Sequence, residues 1–534
     1  MVNEHFRGSR NAVSGVFRGV LLPAVATGLL SAAAFPRLHQ GWLGWVAWVP
    51  LLVFVARSQS RRLAFAGGWL AGVVEFFILL RWMPEVMGRH GGMPPLLSWV
   101  AYTLLIAILA CYTAAACLFV RHLIFRRDDR MLLLFPFVWV VVEFLESVSP
   151  IEGLPWLLAG YTQTRFPAVL QIADLAGVYG VSFLVIAVNT ALAWLWLRKG
   201  RGRAAFAPLV LAGVLFIGAL LYGWWALERW DGSDAPFHAA LLQGNISVED
   251  SWDVMNDKFE QGYVRMADKL AGDSKEQKER IDVMVLPESP TPRYFQTDAD
   301  YRRAMEALAR RYPMGLVLGN VNLRERPDGT EAHYNSAFFL DGGGRLTGVY
   351  DKIHLVPFGE YIPYKRLFFF AETVSKEMGG FDAGKDVKVL RLGGHPANAV
   401  ICFEAAFPDL VRRFVNQGSQ VIVNLTNDGW YGVSDAPYQH LEIARVRAVE
   451  NRRYFLRAAN SGVSTVIEPT GRFQMATGLM QEAICRGDFA FIEEKTLYTR
   501  YGNVFIWLCV IICAVAGFWS LKVKGTSKIR ERDR

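Results

Sequence analysis

The chain has 534 residues and a net charge of +8, and 52% of its residues are hydrophobic. One hydrophobic core does not normally fill this length, and the mean hydropathy of +0.21 excludes a purely soluble protein. Residues 229–501 carry 33 basic and 37 acidic side chains, whereas the rest of the chain has a net charge of +12. Because the excess basic residues flank apolar segments, they do not support nucleic-acid binding.

Eight apolar segments have close to the roughly 20 residues needed to cross a bilayer. They are residues 16–35, 41–56, 64–83, 96–120, 131–147, 178–197, 206–227 and 503–521. These segments predict a multi-pass α-helical membrane domain over residues 1–228, with seven transmembrane helices. An eighth helix and a basic tail are predicted over residues 502–534.

Basic residues are concentrated in alternate connecting segments, which indicates the cytoplasmic side of a membrane. Twenty lie in the N-terminal segment, every second loop and the C-terminal tail, against four in the opposite loops: Arg37, Arg81, Arg89 and Arg165. Both termini are therefore expected in the cytoplasm, with residues 229–501 on the far side. Cleavage of the first segment as a signal peptide is an alternative, although its apolar run is longer than a usual signal core.

Residues 229–501 alternate strand-like runs with amphipathic helical patterns, which predicts a layered α/β domain. The predicted strands are 238–243, 282–286, 315–320, 335–340, 346–350, 397–402, 421–425, 455–459 and 463–468. The predicted helices include 298–311, 408–416 and 439–453. Neither a GxGxxG motif after a strand nor a P-loop occurs, so nothing indicates a dinucleotide or nucleoside triphosphate.

The six cysteines form no CxxC motif and no cluster with histidines in the sequence. This argues against a structural zinc site or a disulfide scaffold, and neither a metal nor another cofactor is expected. Four cysteines lie in apolar segments. The other two, Cys402 and Cys485, fall in the α/β region and could pair in principle.

Three chemically active side chains are predicted near the ends of strands: Glu288, Lys352 and Cys402. Each has an ordinary explanation by itself, as a helix-capping acid, a solvated loop charge and a small core residue. Together they provide a base, an ammonium that stabilises an oxyanion, and a nucleophile, which are the parts of an acyl-transfer site. A Cys–His pair of Cys402 with His354 or His440 is an alternative, but no flanking sequence supports it.

Three motifs resemble the signatures of the carbon-nitrogen hydrolase (nitrilase) superfamily, whose site is a Glu-Lys-Cys triad. They are Leu286–Ser289, Asp351–Glu360 and Ile401–Glu404. With eight predicted membrane segments, the chain is similar over nearly its whole length to the integral membrane family of that superfamily, the apolipoprotein N-acyltransferases. This likeness includes Asn424–Gly432.

The resemblance implies a nitrilase-like α-β-β-α sandwich over residues 229–501, with Glu288 as general base, Lys352 as electrostatic stabiliser and Cys402 as nucleophile. It further implies that the backbone N–H of Phe403, where relatives often carry Tyr, helps to form the oxyanion hole. Further positions are implied as supporting or substrate-proximal: Glu360, Glu404, Trp252 and Asn335.

The implied reaction is a two-step acyl transfer in a bacterial inner membrane, with the catalytic domain in the periplasm. A phospholipid would acylate Cys402, and the α-amine of the diacylglyceryl-cysteine of an apolipoprotein would then accept the chain. A lipid-contacting segment is also predicted at Leu367–Ala371. The alternatives are a membrane-anchored nitrilase-type amidase that uses water, and a non-catalytic lipoprotein-binding protein.

Overall fold

In the computed structural model the chain forms two units, one of long apolar helices and one that contains a two-sheet α/β region. The structure describes all residues except 1–18, 150–152, 200–201, 231, 233, 271–279, 363–379 and 523–534. The first unit comprises residues 1–83, 99–224 and 503–534, and the second comprises residues 84–98 and 225–502. The predicted boundary at residue 228 lies near the start of the main part of the second unit, which also includes residues 84–98. The predicted segment Leu367–Ala371 lies outside the described residues.

Helices make up most of the apolar part of the chain. Their bounds are α1 Gly19–Ala34, α2 Val49–Arg57, α3 Arg61–Leu79, α4 Met83–Arg89, α5 Pro95–Arg126, α6 Phe135–Val148, α7 Pro167–Leu170, α8 Ala173–Leu197 and α9 Ala207–Arg229. The C-terminal helix, introduced below as α15, spans Val504–Lys522.

Within the described residues, six helical segments are long and apolar enough to cross a membrane. They coincide with the third to eighth predicted spans, and the first two predicted spans form shorter apolar helices. The second is divided into a 3-10 turn, Gly41–Trp45, and α2. Pro50 lies in the first turn of α2, where proline starts a helix but cannot continue one from the preceding turn. The N-terminal arginines and most of the basic tail lie outside the described residues, so the orientation stays a prediction.

Small residues allow α3 and α5 to pack closely within the first unit. A Cβ atom on Gly68 would lie 2.8 Å from Sγ of Cys117, and one on Gly72 would lie 3.0 Å from Cα of Ala110. Helices in a membrane associate through such contacts because lipid supplies no hydrophobic driving force between them.

Twelve strands form two six-stranded sheets in the second unit. Their bounds are β1 Phe237–Gln243, β2 Val283–Val285, β3 Gly315–Glu325, β4 Glu331–Leu340, β5 Leu346–Asp351, β6 Leu390–Leu392, β7 His395–Ile401, β8 Val421–Thr426, β9 Phe455–Ala459, β10 Thr465–Ile467, β11 Phe473–Ala476 and β12 Ala483–Phe489. The strand orders are β12-β1-β2-β3-β4-β5 and β11-β10-β9-β8-β7-β6. The three central strands of each sheet, β1-β2-β3 and β7-β8-β9, are parallel to one another. Each strand outside these three is antiparallel to its inner neighbour.

The two sheets lie face to face, and helices cover their outer faces. A Cβ on Gly315 of β3 would lie 2.8 Å from Leu392 of β6, which shows how closely the sheets approach. Beyond residue 250 this unit contains the helices α10 Trp252–Lys258, α11 Ala299–Arg311, α12 Pro408–Asn416, α13 Ala436–Asn451 and α14 Leu497–Tyr501. Helix α15, Val504–Lys522, belongs to the first unit. Helix α11 buries Tyr301 and Met305 in one core with the outer face of the first sheet. This arrangement confirms the predicted α-β-β-α fold.

Residues of the candidate site lie at the carboxyl ends of the central strands. Glu288 follows β2, Cys402 follows β7 and Asn427 follows β8. Lys352 follows β5, which is two antiparallel steps from β3 and therefore runs in the same direction. Ligand sites in α/β sheets form at this end because the strands fix the backbone and the loops beyond leave space.

Candidate active site

Cys402 begins a 3-10 turn, Cys402–Ala406, immediately after β7. Its backbone has φ +47°, a left-handed conformation that is unfavourable for a residue with a Cβ atom. The residue is only 4% exposed. The chain therefore turns sharply at the end of a buried strand and holds the thiol in the interior of the site.

The surroundings of Cys402 oppose ionisation of its thiol. Burial raises its pKa well above the usual range, and the Glu288 carboxylate raises it further, whereas the Lys352 ammonium lowers it. The resting group is therefore a neutral thiol, and a base would have to remove its proton before it could act as a nucleophile.

Glu288 is buried and held at both carboxylate oxygens. Its Oε1 accepts a hydrogen bond from Nδ2 of Asn335 at 2.7 Å, and its Oε2 accepts one from the backbone N–H of Asn427 at 3.0 Å. Gly319 of β3 allows this position, since a Cβ there would lie 2.7 Å from Cα of Glu288. The carboxylate thus has a fixed orientation in a site that is nearly closed to solvent.

Lys352 is 1% exposed and lies between two carboxylates. Its Nζ is 2.9 Å from Oε2 of Glu360 and 3.4 Å from Oε1 of Glu288. Burial alone would lower the pKa of Lys352, but the charges of Glu360 and Glu288 outweigh it and raise the pKa above its usual value. The side chain therefore remains an ammonium.

Asn335 and Glu360 complete this charged cluster. The Nδ2 atom of Asn335 also donates to Oε1 of Glu360 at 2.8 Å, so one amide group bridges both carboxylates. Oε2 of Glu360 accepts from the backbone N–H of Val356 at 2.8 Å, which fixes the loop that carries Lys352.

Glu404 acts on the backbone around the cluster rather than on Lys352 or Cys402 directly. Its Oε2 accepts from the N–H of Ile401 at 2.8 Å, and its Oε1 accepts from the N–H of Ile353 and the hydroxyl of Tyr350, both at 2.7 Å. Burial raises the pKa of Glu404, and these hydrogen bonds lower it in part. One buried side chain therefore joins the Cys402 turn to the Lys352 loop.

Phe403 and Trp252 occupy contrasting environments. The ring of Phe403 is 6% exposed and packs edge-on against Phe407, with 5.0 Å between ring centroids. Trp252 begins α10, and its side chain is 61% exposed. Among the residues that the structure describes, the hydrogen bonds that join Glu288, Lys352 and Asn335 do not include Trp252.

The two histidines considered as partners of Cys402 are placed differently. The ring of His354 stacks on Phe407, with centroids 4.1 Å apart. His440 of α13 is fully buried, and its Nε2 lies 3.0 Å from the backbone carbonyl oxygen of Cys402. This geometry gives His440 a hydrogen bond to the backbone of Cys402.

Sequence reasoning assigned no role to the residues that hold His440. Its Nδ1 lies 2.9 Å from Oδ1 of Asp428, and Oδ2 of Asp428 accepts from Arg457 at 2.7 Å. The thiol of Cys402 belongs to this group, because its Sγ, a carboxylate oxygen of Asp428 and a nitrogen of His440 lie within 4.8 Å of one another. A signal was present in Asn424–Gly432, which carries the family likeness, but the likeness alone does not show which residues pair.

Comparisons with known proteins agree along nearly the whole chain. Residues 27–191 match the apolipoprotein N-acyltransferase N-terminal domain, and residues 238–491 match the carbon-nitrogen hydrolase family. An apolipoprotein N-acyltransferase of Geobacter metallireducens is 37% identical over 521 residues, which cover 94% of this chain and 96% of the relative. The chain belongs to the apolipoprotein N-acyltransferase family.

Other members of the apolipoprotein N-acyltransferase family show the same relation. The protein of Bradyrhizobium diazoefficiens with this name is 34% identical over 407 residues, covering 74% of this chain and 75% of the relative. Among solved structures, an amidase from Nesterenkonia sp. is 19% identical and covers 51% of this chain and 96% of its own, with a TM-score of 0.36. Family membership and the membrane-length helices identify a bacterial inner-membrane acyltransferase of the carbon-nitrogen hydrolase superfamily.

Proposed function

We propose that this protein transfers a fatty acyl chain from a membrane phospholipid to an apolipoprotein, through a thioester on Cys402. The acceptor is the α-amine of the diacylglyceryl-cysteine at the N-terminus of the apolipoprotein. The proposal is carried by the buried grouping of Glu288, Lys352 and Cys402 in a chain of this family. The catalytic domain comprises residues 229–501.

In the first step, Sγ of Cys402 attacks the ester carbonyl of the phospholipid while Glu288 accepts the thiol proton. The oxyanion is stabilised by the Lys352 ammonium and the backbone N–H of Phe403. Collapse of the tetrahedral intermediate breaks the ester C–O bond. Glu288 returns the proton to the leaving oxygen, and a lysophospholipid departs.

In the second step, the α-amine of the acceptor attacks the thioester carbonyl on Cys402. Glu288 takes a proton from the attacking nitrogen, and the same donors stabilise the second oxyanion. Breakage of the C–S bond yields an amide, and the proton held by Glu288 returns to the thiolate. The enzyme is thereby restored, as a ping-pong mechanism requires.

The charge balance of the site supports proton transfer during attack. Glu288 and Glu360 together outweigh the single positive charge of Lys352, so a free thiolate at Cys402 would add a second uncompensated negative charge. Transfer of the thiol proton to Glu288 as the S–C bond forms avoids this buried charge.

Both proposed substrates are lipid-anchored, in keeping with the membrane helices of this chain. We further propose cytoplasmic termini and a periplasmic catalytic domain, on the basis of the basic residues in alternate loops. Trp252 is proposed to lie near the substrate, because its ring is exposed at the start of α10.

Incubation of the purified protein with acyl-labelled phospholipid tests the function directly. Label is expected on Cys402 and, after a diacylated peptide is added, on the N-terminus of that peptide. Cys402→Ser should fold and insert but form no thioester. Release of labelled fatty acid alone would favour an amidase-type hydrolase, and absence of any label with retained peptide binding would favour a binding protein.

A further inference from the structure

A single peptide unit joins the nucleophile to the proposed oxyanion donor. Its carbonyl belongs to Cys402 and its N–H to Phe403. The carbonyl can only accept a hydrogen bond, so Nε2 of His440, at 3.0 Å, carries the hydrogen between them. Because the C=O and N–H of a trans peptide point in opposite directions, a bond that fixes the carbonyl also fixes the N–H of Phe403.

His440 is held rigidly enough for this task. It lies on α13, whereas Asp428 follows β8 and Arg457 lies on β9, so three separate elements converge on the imidazole. All three side chains are 1% exposed or less. Arg457 donates to Asp428 at 2.7 Å, and Asp428 lies 2.9 Å from Nδ1 of His440.

The surroundings of Asp428 favour its ionised form. Burial alone would raise the pKa of Asp428, but Arg457 and His440 lower it below its usual value. The carboxylate therefore remains ionised and can accept from Arg457 and from the Nδ1–H of His440. Since Nε2 also donates, to the Cys402 carbonyl, both ring nitrogens carry a hydrogen and the ring is an imidazolium in this arrangement.

The backbone at Cys402 requires such support. Its φ of +47° is a conformation that costs an L-residue about 1–2 kcal/mol, and such residues persist only where their surroundings over-determine them. Glu404 fixes the N–H of Ile401 on the strand side of the turn. His440 fixes the carbonyl on the other side of the strained residue.

We propose that His440, oriented by Asp428 and Arg457, is a positioning residue that turns the Cys402–Phe403 peptide so that its N–H faces the reacting carbonyl oxygen. The proposal rests on the acyl-transfer function given above. It distinguishes His440 from the base of a Cys–His pair, because the hydrogen bond from Nε2 goes to the backbone carbonyl oxygen of Cys402 and not to Sγ.

Two substitutions of similar polarity separate orientation from mere space filling. In His440→Gln the side-chain amide nitrogen reaches the former position of Nε2, whereas in His440→Asn it reaches only that of Nδ1. Single-turnover acylation of Cys402 by labelled phospholipid should stay within about fivefold of wild type in His440→Gln. It should fall about 10²-fold in His440→Asn, the cost of one oxyanion donor, with the KM for phospholipid unchanged. His395→Gln, at the opposite end of β7, is the matched control.

Alkylation of Cys402 by iodoacetamide forms no oxyanion and supplies the second readout. In His440→Asn the alkylation rate should match that of His440→Gln, which loses the same ring charge, while acylation falls. Equal losses of acylation in the Gln and Asn variants, or parallel losses of acylation and alkylation, would overturn the positioning role. If His440→Asn fails to fold, Asp428→Asn replaces it: acylation of Cys402 should fall, by less than in His440→Asn, while alkylation does not. If acylation and alkylation fall together in Asp428→Asn, the positioning role is overturned. A wild-type protein that alkylates but never acylates would instead refute the acyl-transfer function itself.

Discussion

The side-chain amide nitrogen of Asn335 lies 2.7 Å from Oε1 of Glu288. The same nitrogen lies 2.8 Å from Oε1 of Glu360, so its two hydrogens serve the buried carboxylate of Glu288 and the partly buried one of Glu360. Asn335 therefore orients the proposed base without adding charge, and it separates two groups of like charge around Lys352. At position 335 we therefore expect aspartate, which has nearly the shape of asparagine, to be more damaging than alanine.

Asn335→Asp should reduce acylation of Cys402 more than Asn335→Ala, although aspartate has nearly the shape of asparagine. The carboxylate cannot donate, and it adds a third negative charge beside a single ammonium. We expect a loss of at least about 10²-fold for the Asp variant, on the scale of a lost electrostatic contribution. Single-turnover labelling measures it. A greater loss in the Ala variant would show that shape, rather than hydrogen bonding, is what matters here.

Lys352→Met should both inactivate and destabilise the protein. The substitution leaves the buried Glu288 and the partly buried Glu360 without their counter-charge, and removing one partner of a buried pair typically costs about 3–5 kcal/mol. Adding Glu360→Gln removes one of the two carboxylates, so the double variant should regain part of the melting temperature in detergent and none of the activity. A double variant that melts no higher than Lys352→Met would contradict the proposed charge balance.

Glu288→Gln should make Cys402 easier to ionise while abolishing acyl transfer. The carboxylate of Glu288 raises the pKa of the thiol, so its neutralisation lowers that pKa. Plotted against pH, the rate of iodoacetamide alkylation at Cys402 should therefore rise at lower pH in the variant than in wild type. Peptide-resolved mass spectrometry makes the measurement, with Cys485 as the internal control because burial raises its pKa to about 12. A shift to higher pH would refute the assigned sign.

Glu404→Gln should cost more stability than Tyr350→Phe. The phenylalanine variant loses one hydrogen bond, worth about 1 kcal/mol. The glutamine variant turns one acceptor into a donor that faces backbone N–H groups of Ile401 or Ile353, and each buried group left unpaired costs about 1–3 kcal/mol. Denaturant titration of both variants tests this order. Acylation should fall in the glutamine variant alone, since only there does the link between the Cys402 turn and the Lys352 loop break.

Local patterns were sufficient where one segment contained the whole signal. The helix Pro408–Asn416 and the strand Phe455–Ala459 have the predicted bounds, because each combines a clear periodicity with distinct flanking residues. Glu288 and Lys352, predicted as parts of one site, lie 3.4 Å apart at their nearest charged atoms. Their catalytic roles stay predictions that the experiments above test.

Long-range pairing explains what the sequence did not reveal. Strand β12 was missed because Arg486 and Gly487 interrupt its apolar run, and it is stabilised by pairing with β1, more than 200 residues earlier in the chain. Arg457 lies within an apolar strand, and nothing adjacent shows that Asp428 neutralises it. Both features depend on residues that only the folded sheets bring together.

Because the backbone of Cys402 is left-handed, stability and activity favour different residues at this position. Glycine adopts that conformation without the steric cost of a Cβ atom, so it is the residue that the turn itself favours. A laboratory selection for heat resistance alone would therefore accept Cys402→Gly, whereas a cell that depends on the thiol retains cysteine. A cysteine at a position whose backbone favours glycine would then reflect a requirement for chemistry that the fold by itself opposes.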